Sequence, residues 1–157
     1  MVDLSTLTGN YTTKNNETLT GTPKGNYKIT IKDGATVTLN GVTIEGEDEE
    51  NYNWVGCEGN PTVILASKNI AKGFYVYHPG IYVLKDKTLT IKGKGALNAS
   101  SNRLAACIGK GQESSCSKIT LGYTKASDYI IANEYIAGQI AIVEGRTFIV
   151  EGNSTKT

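Results

Sequence analysis

The sequence has few of the residues that long helices, metal sites and membrane segments require. Its 157 residues include 1 Met, 2 Phe, 3 Pro, 3 Cys and 1 His. A single His and the lack of a CxxC spacing argue against a zinc site. Apolar runs all fall far short of the ~20 residues that cross a bilayer, so we predict no membrane insertion. The net charge of +1 provides no overall field for nucleic-acid binding.

The three cysteines are Cys57, Cys107 and Cys116, an odd number without a paired framework. One disulfide with one free thiol, or no disulfide, both remain open, and buried apolar cysteine is the simpler expectation. The start MVDLSTLTGN is polar and has no secretory signal. We nevertheless expect a secreted or cell-surface protein, for the reasons given below.

Glycine, threonine, asparagine and tyrosine are abundant, which favours many short strands joined by tight turns. The stretch TVTL at 36–39 recurs as TVIL at 62–65 and TLTI at 88–91, each 26 residues after the last. Looser copies follow as KITL at 118–121 and TFIV at 147–150, after 30 and 29 residues. A fixed period carried by a β-branched strand predicts a repeat in which strands stack on one another.

The segment 27–46 shows the repeat unit most clearly. Its three strand-like pieces are separated by Asp33-Gly34 and Asn40-Gly41, pairs that tolerate the positive φ of a sharp corner. A 26-residue shift aligns apolar residues into interior columns. The predicted columns are Ile29/Val55/Ile81/Cys107, Ile31/Cys57/Val83, Val37/Val63/Leu89, Leu39/Leu65/Ile91 and Ile44/Ile70/Ala96.

From these columns we predict an all-β fold: a single-stranded parallel β-helix (β-solenoid) of about five short coils in one domain, 1–157. Residues 1–27 are expected to form a polar N-terminal cap, 28–121 the regular coils, and 122–157 irregular last coils. Within the last part, 128–137 is predicted as a short helix or an extra strand. The segments 47–54, 74–79 and 99–106 are expected to project from one corner as insertions.

Four runs of the sequence carry a family resemblance. They are YKITIKDGATVTLNGVTIEG at 27–46, NYNWVGCEG at 51–59, HPGIYV at 78–83 and ACIGKGQESSCSKITL at 106–121. These runs resemble the right-handed parallel β-helix repeats of bacterial cell-surface proteins and are similar in style to polygalacturonate-binding β-helix proteins. The resemblance implies a right-handed helix, as most parallel crossovers are, and a secreted or anchored non-catalytic module that binds polysaccharide. It provides no site residue that can be carried over.

Catalysis by this chain would require acidic residues that face one another, as in glycoside hydrolysis. The 26-residue shift aligns no acidic column, and the only histidine, His78, has no Ser or Cys partner evident in the sequence. We therefore expect no enzyme, and a polysaccharide lyase or hydrolase is the weakest alternative.

Aromatic residues in the predicted insertions are the candidate carbohydrate site. Flat rings one coil apart would lie ~5 Å from one another and could stack on sugar rings. The candidates are Tyr52, Trp54, Tyr75, Tyr77 and His78, with the neighbouring Asn51 and Asn53 as hydroxyl partners. The alternative is that these rings fold down and seal a corner of the repeat.

A lysine-rich side is the second candidate, for an anionic ligand such as an acidic glycan. Lys68 and Lys94 share a column at the 26-residue shift, and Lys72 lies close by. Such a surface would attract a polyanion in a salt-sensitive way. Lysines also keep outward strand faces soluble, which is the alternative.

The acidic run at 45–50 offers oxygen ligands for calcium, from Glu45, Glu47, Asp48, Glu49 and Glu50. It lacks the alternating spacing of a preorganised calcium loop, so a solvated acidic loop is the simpler expectation. No cofactor is otherwise expected.

Taken together, the sequence predicts a non-catalytic bacterial surface or secreted module whose partner is a polysaccharide or host cell-surface glycan. No nucleic-acid partner is expected. The alternative is a structural or adhesin segment of a larger surface protein that binds no small ligand.

Overall fold

The computed structural model describes residues 1–46, 52–73, 78–84, 87–100, 108–109, 118–121, 129–133, 140–142 and 147–151. The described residues are mostly in strands, and every pairing between those strands is parallel. This confirms the all-β class. The only helical segment in this part of the chain is the 3-10 turn Leu4–Thr6. No described helix has the length and apolarity that crossing a bilayer demands.

The strands have the following bounds in chain order: β1 Val2–Asp3, β2 Tyr11–Thr12, β3 Glu17–Gly21, β4 Lys28–Ile31, β5 Thr36–Glu45, β6 Trp54–Cys57, β7 Thr62–Leu65, β8 Lys68–Lys72, β9 Ile81–Val83, β10 Thr88–Gly93, β11 Ala96–Ser100, β12 Ile108–Gly109, β13 Lys118–Leu121, β14 Tyr129–Asn133, β15 Ile140–Ile142 and β16 Thr147–Glu151.

Hydrogen bonding arranges these strands in three parallel ladders. Ladder one is β2-β4-β6-β9-β12, a separate sheet. Ladder two is β1-β3-β5-β7-β10-β13-β15, and ladder three is β5-β8-β11-β14-β16. The long strand β5 belongs to both, its first half in ladder two and its second half in ladder three. From β4 to β14 the chain visits ladders one, two and three in that order and then repeats the order, and β15 and β16 follow in ladders two and three.

Glycines make two of the changes of direction that the sequence predicts. Gly34, with φ 69°, lies between β4 and β5, and Gly41, with φ 74°, lies inside β5 where it passes from ladder two to ladder three. A positive φ is readily adopted only by glycine, since it has no Cβ to clash with the backbone. The positive φ predicted for the pairs Asp33-Gly34 and Asn40-Gly41 is therefore confirmed at both glycines.

Ladder one keeps the predicted register throughout β4, β6 and β9. Ile29 lies opposite Val55, which lies opposite Ile81, and Ile31, Cys57 and Val83 follow in the same way. At β12 the prediction is one residue out, because Ile81 pairs with Ile108 rather than with Cys107. All of these described interior side chains are at most 3% exposed.

Ladder two departs from the predicted register at β10. Val37 lies opposite Val63 as expected, but Val63 lies opposite Ile91 rather than Leu89. From Cys57 to Val63 the chain advances six residues, whereas from Val83, the partner of Cys57, to Ile91 it advances eight, so the pairing shifts by two. An even shift keeps the same side chains facing inward, so Leu89 and Ile91 are both fully buried although their predicted partners are wrong.

In ladder three the pairing between β5 and β8 shifts by one residue from the prediction. An odd shift turns each side chain of the strand to the opposite face of the sheet. Ile44 lies opposite Ala71, not Ile70, and Ala71 lies opposite Ala99, not Ala96. Ile70 is consequently 38% exposed while Ala71 is 2% exposed. The predicted column through Ile70 is wrong because one extra residue lies between β7 and β8.

Because the pairing of β8 is shifted by one residue, Asn69 faces the interior in place of Ile70. Its side chain is 2% exposed, and its Oδ1 accepts a 2.9 Å hydrogen bond from the backbone N–H of Val42. Its Nδ2 donates to three backbone carbonyls, those of Ser67 at 2.8 Å, Ala96 at 3.2 Å and Leu39 at 3.3 Å. A buried amide is tolerated here because the backbone satisfies it.

Exposed polar side chains join successive repeats at the ends of strands. Each accepts a hydrogen bond of 2.7–3.1 Å from a backbone N–H that lies 18–28 residues later. The pairs, acceptor first, are Asn10 with Lys28, Asn15 with Thr36, Asn26 with Tyr52, Asp33 with Asn60, and Asn60 with Thr88. A bond of this kind contributes on the order of 0.5–1.5 kcal/mol.

The N-terminal segment extends the ladders. Tyr11 pairs with Ile29, and Leu19 pairs with Leu39. Ahead of these strands, the 3-10 turn places Leu4 fully buried against the first interior residues. Asp3 caps this turn by accepting from the backbone N–H of Ser5 at 2.9 Å. Hydrogen bonds from the side chain and from the backbone of Ser5 lower the pKa of the Asp3 carboxyl.

The last strands pair differently from the predicted copies. KITL at 118–121 pairs with β10 as expected. TFIV at 147–150 lies in ladder three against β14, whereas KITL pairs with β15, so TFIV is not a further copy of the TVTL column. The strand alternative for 128–137 is confirmed over Tyr129–Asn133.

Candidate functional site

The predicted aromatic residues lie in different settings. Trp54 is not in a loop but begins strand β6, and His78 lies shortly before β9. Tyr52 forms an isolated antiparallel bridge with Gly46. Tyr75 and Tyr77 lie outside the described residues. The structure therefore brings Trp54 and His78 together, while Tyr52 borders a different depression.

The outer face of ladder one has a gap at Gly56. Along β6, Val55 and Cys57 face the interior, so Trp54 and Gly56 belong to the outer face. Register places Thr30 on one side of Gly56 and Tyr82 on the other. Because Gly56 has no side chain, its neighbours surround an open floor.

A groove of about 180 Å³ results, which we call the Gly56 groove. Its lining consists of Lys28, Thr30, Trp54, Gly56, Cys57, Glu58, Tyr82 and Leu84. A Cβ built on Gly56 would lie 3.6 Å from Cζ2 of Trp54 and 3.8 Å from Cβ of Tyr82. These are ordinary contacts, so an added methyl group would fill the floor without a clash.

The rings around the Gly56 groove meet edge to face. The centroids of Trp54 and Tyr82 are 5.5 Å apart at 79°, and those of Trp54 and His78 are 5.8 Å apart at 84°. Such geometry is favourable for aromatic pairs. The rings are thus not coplanar, and the indole is partly held by packing, as the alternative interpretation of these residues expected.

The indole also carries an unusual feature for a packing residue. Its Nε1 is shielded from solvent and has no hydrogen-bond partner among the described residues. A buried donor without an acceptor costs on the order of 1–3 kcal/mol. An unpartnered buried donor of this kind calls for an explanation beyond packing.

Charge at the Gly56 groove is concentrated at Lys28. Its Nζ lies 4.6 Å from the centroid of the Trp54 ring, a cation–π distance. Glu58, the only acidic residue of the lining, is exposed and comes four residues after Trp54, at the other end of the groove. Lys28 is the only basic residue of the lining.

A second depression, of about 230 Å³, lies beside Tyr52 and is bordered by Pro23, Gly25 and Glu45. Asn53, expected to bond ligand hydroxyls, is only 8% exposed. Its side-chain amide donates to the carbonyl of Gly25, and its backbone N–H donates to that of Glu45 at 2.8 Å. The side-chain amide of Asn53 is thus mostly buried and bound to the backbone of Gly25, which disfavours the role expected for it.

A larger depression, of about 480 Å³, lies at the corner between ladders one and two and is lined by residues 12–15 and 32–35. Three of its polar side chains, those of Thr13, Asn15 and Asp33, already accept hydrogen bonds from the backbone of the chain. Thr13 Oγ1 accepts from the backbone N–H of Lys32 at 3.3 Å, and Asn15 accepts from that of Thr36 at 2.9 Å. It has no aromatic lining, so it is a weaker sugar site than the Gly56 groove.

The predicted lysine column does not form. Lys68 lies opposite Ala96, and Lys94 lies in the link between β10 and β11, because the register has shifted by two residues. Lys68 and Lys72 are both exposed on β8, with Lys72 opposite Glu45. They belong to ladder three, whereas Trp54 belongs to ladder one.

Of the predicted calcium ligands, only Glu45 is described, and it is exposed at the end of β5. Glu47, Asp48, Glu49 and Glu50 lie outside the described residues. In the part of the chain that the structure describes, no three acidic, His or Cys residues come together as a metal site would require.

The thiol of Cys57 is in the interior, 2% exposed, and burial raises its pKa to about 12. It is free, and its position matches the simpler expectation for it. Cys107 and Cys116 lie outside the described residues.

Of the residues that line the Gly56 groove, the sequence predicted only Trp54 as a site residue, and Lys28, Gly56 and Tyr82 are the most important of those it missed. Tyr82 alternates with the inward Ile81 and Val83, and the 26-residue shift aligns it with Gly56. The same shift aligns Lys28 with Trp54. The signal lies in the outward positions of the strands, whereas the apolar pattern determines only the inward ones.

Comparison of the chain with family models, with curated proteins and with solved structures found no match in any of the three.

Proposed function

We propose that this chain is a right-handed parallel β-helix that acts as a non-catalytic, secreted or surface-exposed module and binds polysaccharide at the Gly56 groove. The proposed helix is supported by the order in which the chain visits its three parallel ladders. Right-handedness follows the general preference for parallel crossovers.

One observation carries the binding proposal: a glycine-floored groove on the outer sheet face with Trp54 and Tyr82 as its walls. Sugar rings present flat C–H faces that pack on aromatic rings, while hydroxyls need polar partners at the edges. Thr30 and Glu58 supply such partners within the same lining. The site lies on strands rather than in a loop, so its side chains are well positioned.

The covered and unpartnered Nε1 of Trp54 supports the proposal in a second way. Groups that stay unsatisfied in a folded protein call for an explanation other than stability. A ligand oxygen that reaches this donor after a small movement of the ring would supply the missing acceptor.

The test is affinity electrophoresis through gels that contain single polysaccharides, with wild-type protein, three groove variants and one control variant. Trp54→Ala and Tyr82→Ala remove the walls, and Gly56→Ala fills the floor without a clash. Ile70→Ala, at an exposed apolar residue of ladder three, is the matched control. We expect each groove variant to lose about tenfold in affinity, ~1.4 kcal/mol, and the control to lose none.

Equal retention of all four variants would exclude the Gly56 groove as the site. Failure of the wild type to bind any polysaccharide would leave the structural or adhesin role as the better explanation, with the aromatic cluster acting as packing.

A further inference from the structure

We infer that Lys28 determines which glycans the Gly56 groove accepts, and that it favours a sugar with an anionic substituent over the corresponding neutral sugar. This inference rests on the proposed function and concerns the same groove. It assigns specificity to one residue that has no part in the predicted lysine-rich side.

The position of Lys28 is fixed by its backbone. Its N–H donates to Oδ1 of Asn10 at 2.9 Å, and register places it directly opposite Trp54. Neither Asn10 nor Trp54 is acidic. The ammonium of Lys28 lies over the indole of Trp54, with Nζ 4.6 Å from the ring centroid. The ammonium of Lys28 thus covers a face of the Trp54 ring on which a sugar would stack.

When a sugar binds, the ammonium of Lys28 therefore exchanges its contact with the Trp54 ring for another contact. A neutral sugar that stacks on Trp54 displaces the ammonium, which then loses its contact with the π face and gains only water. A sugar with a carboxylate or sulfate also displaces it, but the ammonium then forms a charge-assisted hydrogen bond with the anionic group. Lys28 therefore weakens the binding of neutral sugars and strengthens the binding of anionic sugars.

The remaining charges around the groove do not reverse this preference. Glu58 is the only acidic residue in the lining, and it comes four residues after Trp54, at the end of the groove away from Lys28. The lining between the two ends is uncharged, through Thr30, Gly56 and Tyr82. An anionic group thus interacts best at the end where Lys28 lies.

The experiment compares Lys28→Met with wild type on matched pairs of polysaccharides. The pairs are polygalacturonate and its methyl ester, chondroitin sulfate and chondroitin, and carboxymethyl- and hydroxyethylcellulose. Methionine keeps the length of the side chain and removes its charge. Lys92→Met, at an exposed lysine of β10 in ladder two, makes the same change in net charge away from the groove.

We expect Lys28→Met to weaken binding of the acidic member about two- to fivefold and to strengthen binding of the neutral member by a similar factor. The ratio of acidic to neutral affinity then falls about four- to 25-fold, while Lys92→Met leaves it unchanged.

Two results would overturn the inference alone: equal effects of Lys28→Met on both members of a pair, or equal effects of Lys28→Met and Lys92→Met on the acidic member. Failure of the wild type to bind any of the six polysaccharides or others would overturn the proposed function itself, so the two failures are distinguishable.

Discussion

Asn69 and Val42 lie on adjacent strands of ladder three, and the side-chain Oδ1 of Asn69 accepts a 2.9 Å hydrogen bond from the buried backbone N–H of Val42. The same amide donates to three carbonyls from three successive segments of the chain. One side chain thus connects three repeats at the corner where β7 passes to β8.

Replacing Asn69 by alanine should therefore destabilise the fold. The N–H of Val42 and the carbonyl of Ser67 would lose a partner in a buried setting, at a cost of about 2–3 kcal/mol. Urea unfolding measures this loss as a lower midpoint at constant slope. The control is Asn98→Ala, at an exposed asparagine of β11, which we expect to change stability by less than about 0.5 kcal/mol. Equal effects of the two substitutions would contradict the role of Asn69.

Leu4 should stabilise the N-terminal end of the ladders. It is fully buried, whereas Leu7 is only partly buried against the same cluster. We expect Leu4→Ala to lower the free energy of unfolding by about 2–4 kcal/mol and Leu7→Ala by clearly less. Thermal and urea unfolding of both variants provide the comparison, and a larger loss for Leu7→Ala would contradict it.

The buried thiol of Cys57 should be inert and should make stability depend on alkaline pH. Burial raises the pKa of Cys57 from 9.0 to about 12, so the folded protein keeps the proton after the unfolded chain has lost it. This contribution to stability is complete below pH 9 and is lost as the pH rises towards 12.

A background with Cys107→Ser and Cys116→Ser isolates the Cys57 effect. In that background, Ellman's reagent at pH 8 should react only after urea is added. Between pH 9 and 11, unfolding should become easier with a steeper slope than in the further variant Cys57→Ala. Rapid labelling of the native protein would show that Cys57 is accessible.

The fluorescence of this protein should report on the Gly56 groove, because Trp54 is its only tryptophan. Tyr82 meets the indole at 5.5 Å, so Tyr82→Ala should expose the ring and increase quenching by acrylamide. Tyr11→Phe, at an N-terminal tyrosine whose hydroxyl bonds Glu17, should leave quenching unchanged. An identical quenching constant for Tyr82→Ala and wild type would contradict the contact.

Much of the interior followed from the sequence, because alternation has a period of two and the repeat was regular from β4 to β7. Ile29, Val55 and Ile81 needed only the 26-residue shift to be placed in one column. The corner glycines were equally predictable, since few residues other than glycine readily adopt a positive φ.

Pairing partners beyond β7 did not follow in the same way. A two-residue slip of β10 moved the partner of Val63 from Leu89 to Ile91, and one extra residue before β8 turned Ile70 outward. The 26-residue recurrence of the sequence does not show where such slips occur, because only the completed hydrogen bonding between strands decides the register.

The candidate site shows the same division. The sequence by itself determined that Trp54 is the one tryptophan of a strand-rich chain, and that inward columns of Val, Ile and Leu would form its core. Only the tertiary structure decided that Lys28 lies over the indole and that Tyr82 lies across Gly56 from Thr30. The physical reason is that inward positions are fixed by burial, which the apolar pattern encodes. Contacts on the outer face depend on register across strands 26 residues apart, and on the side chain that Gly56 lacks.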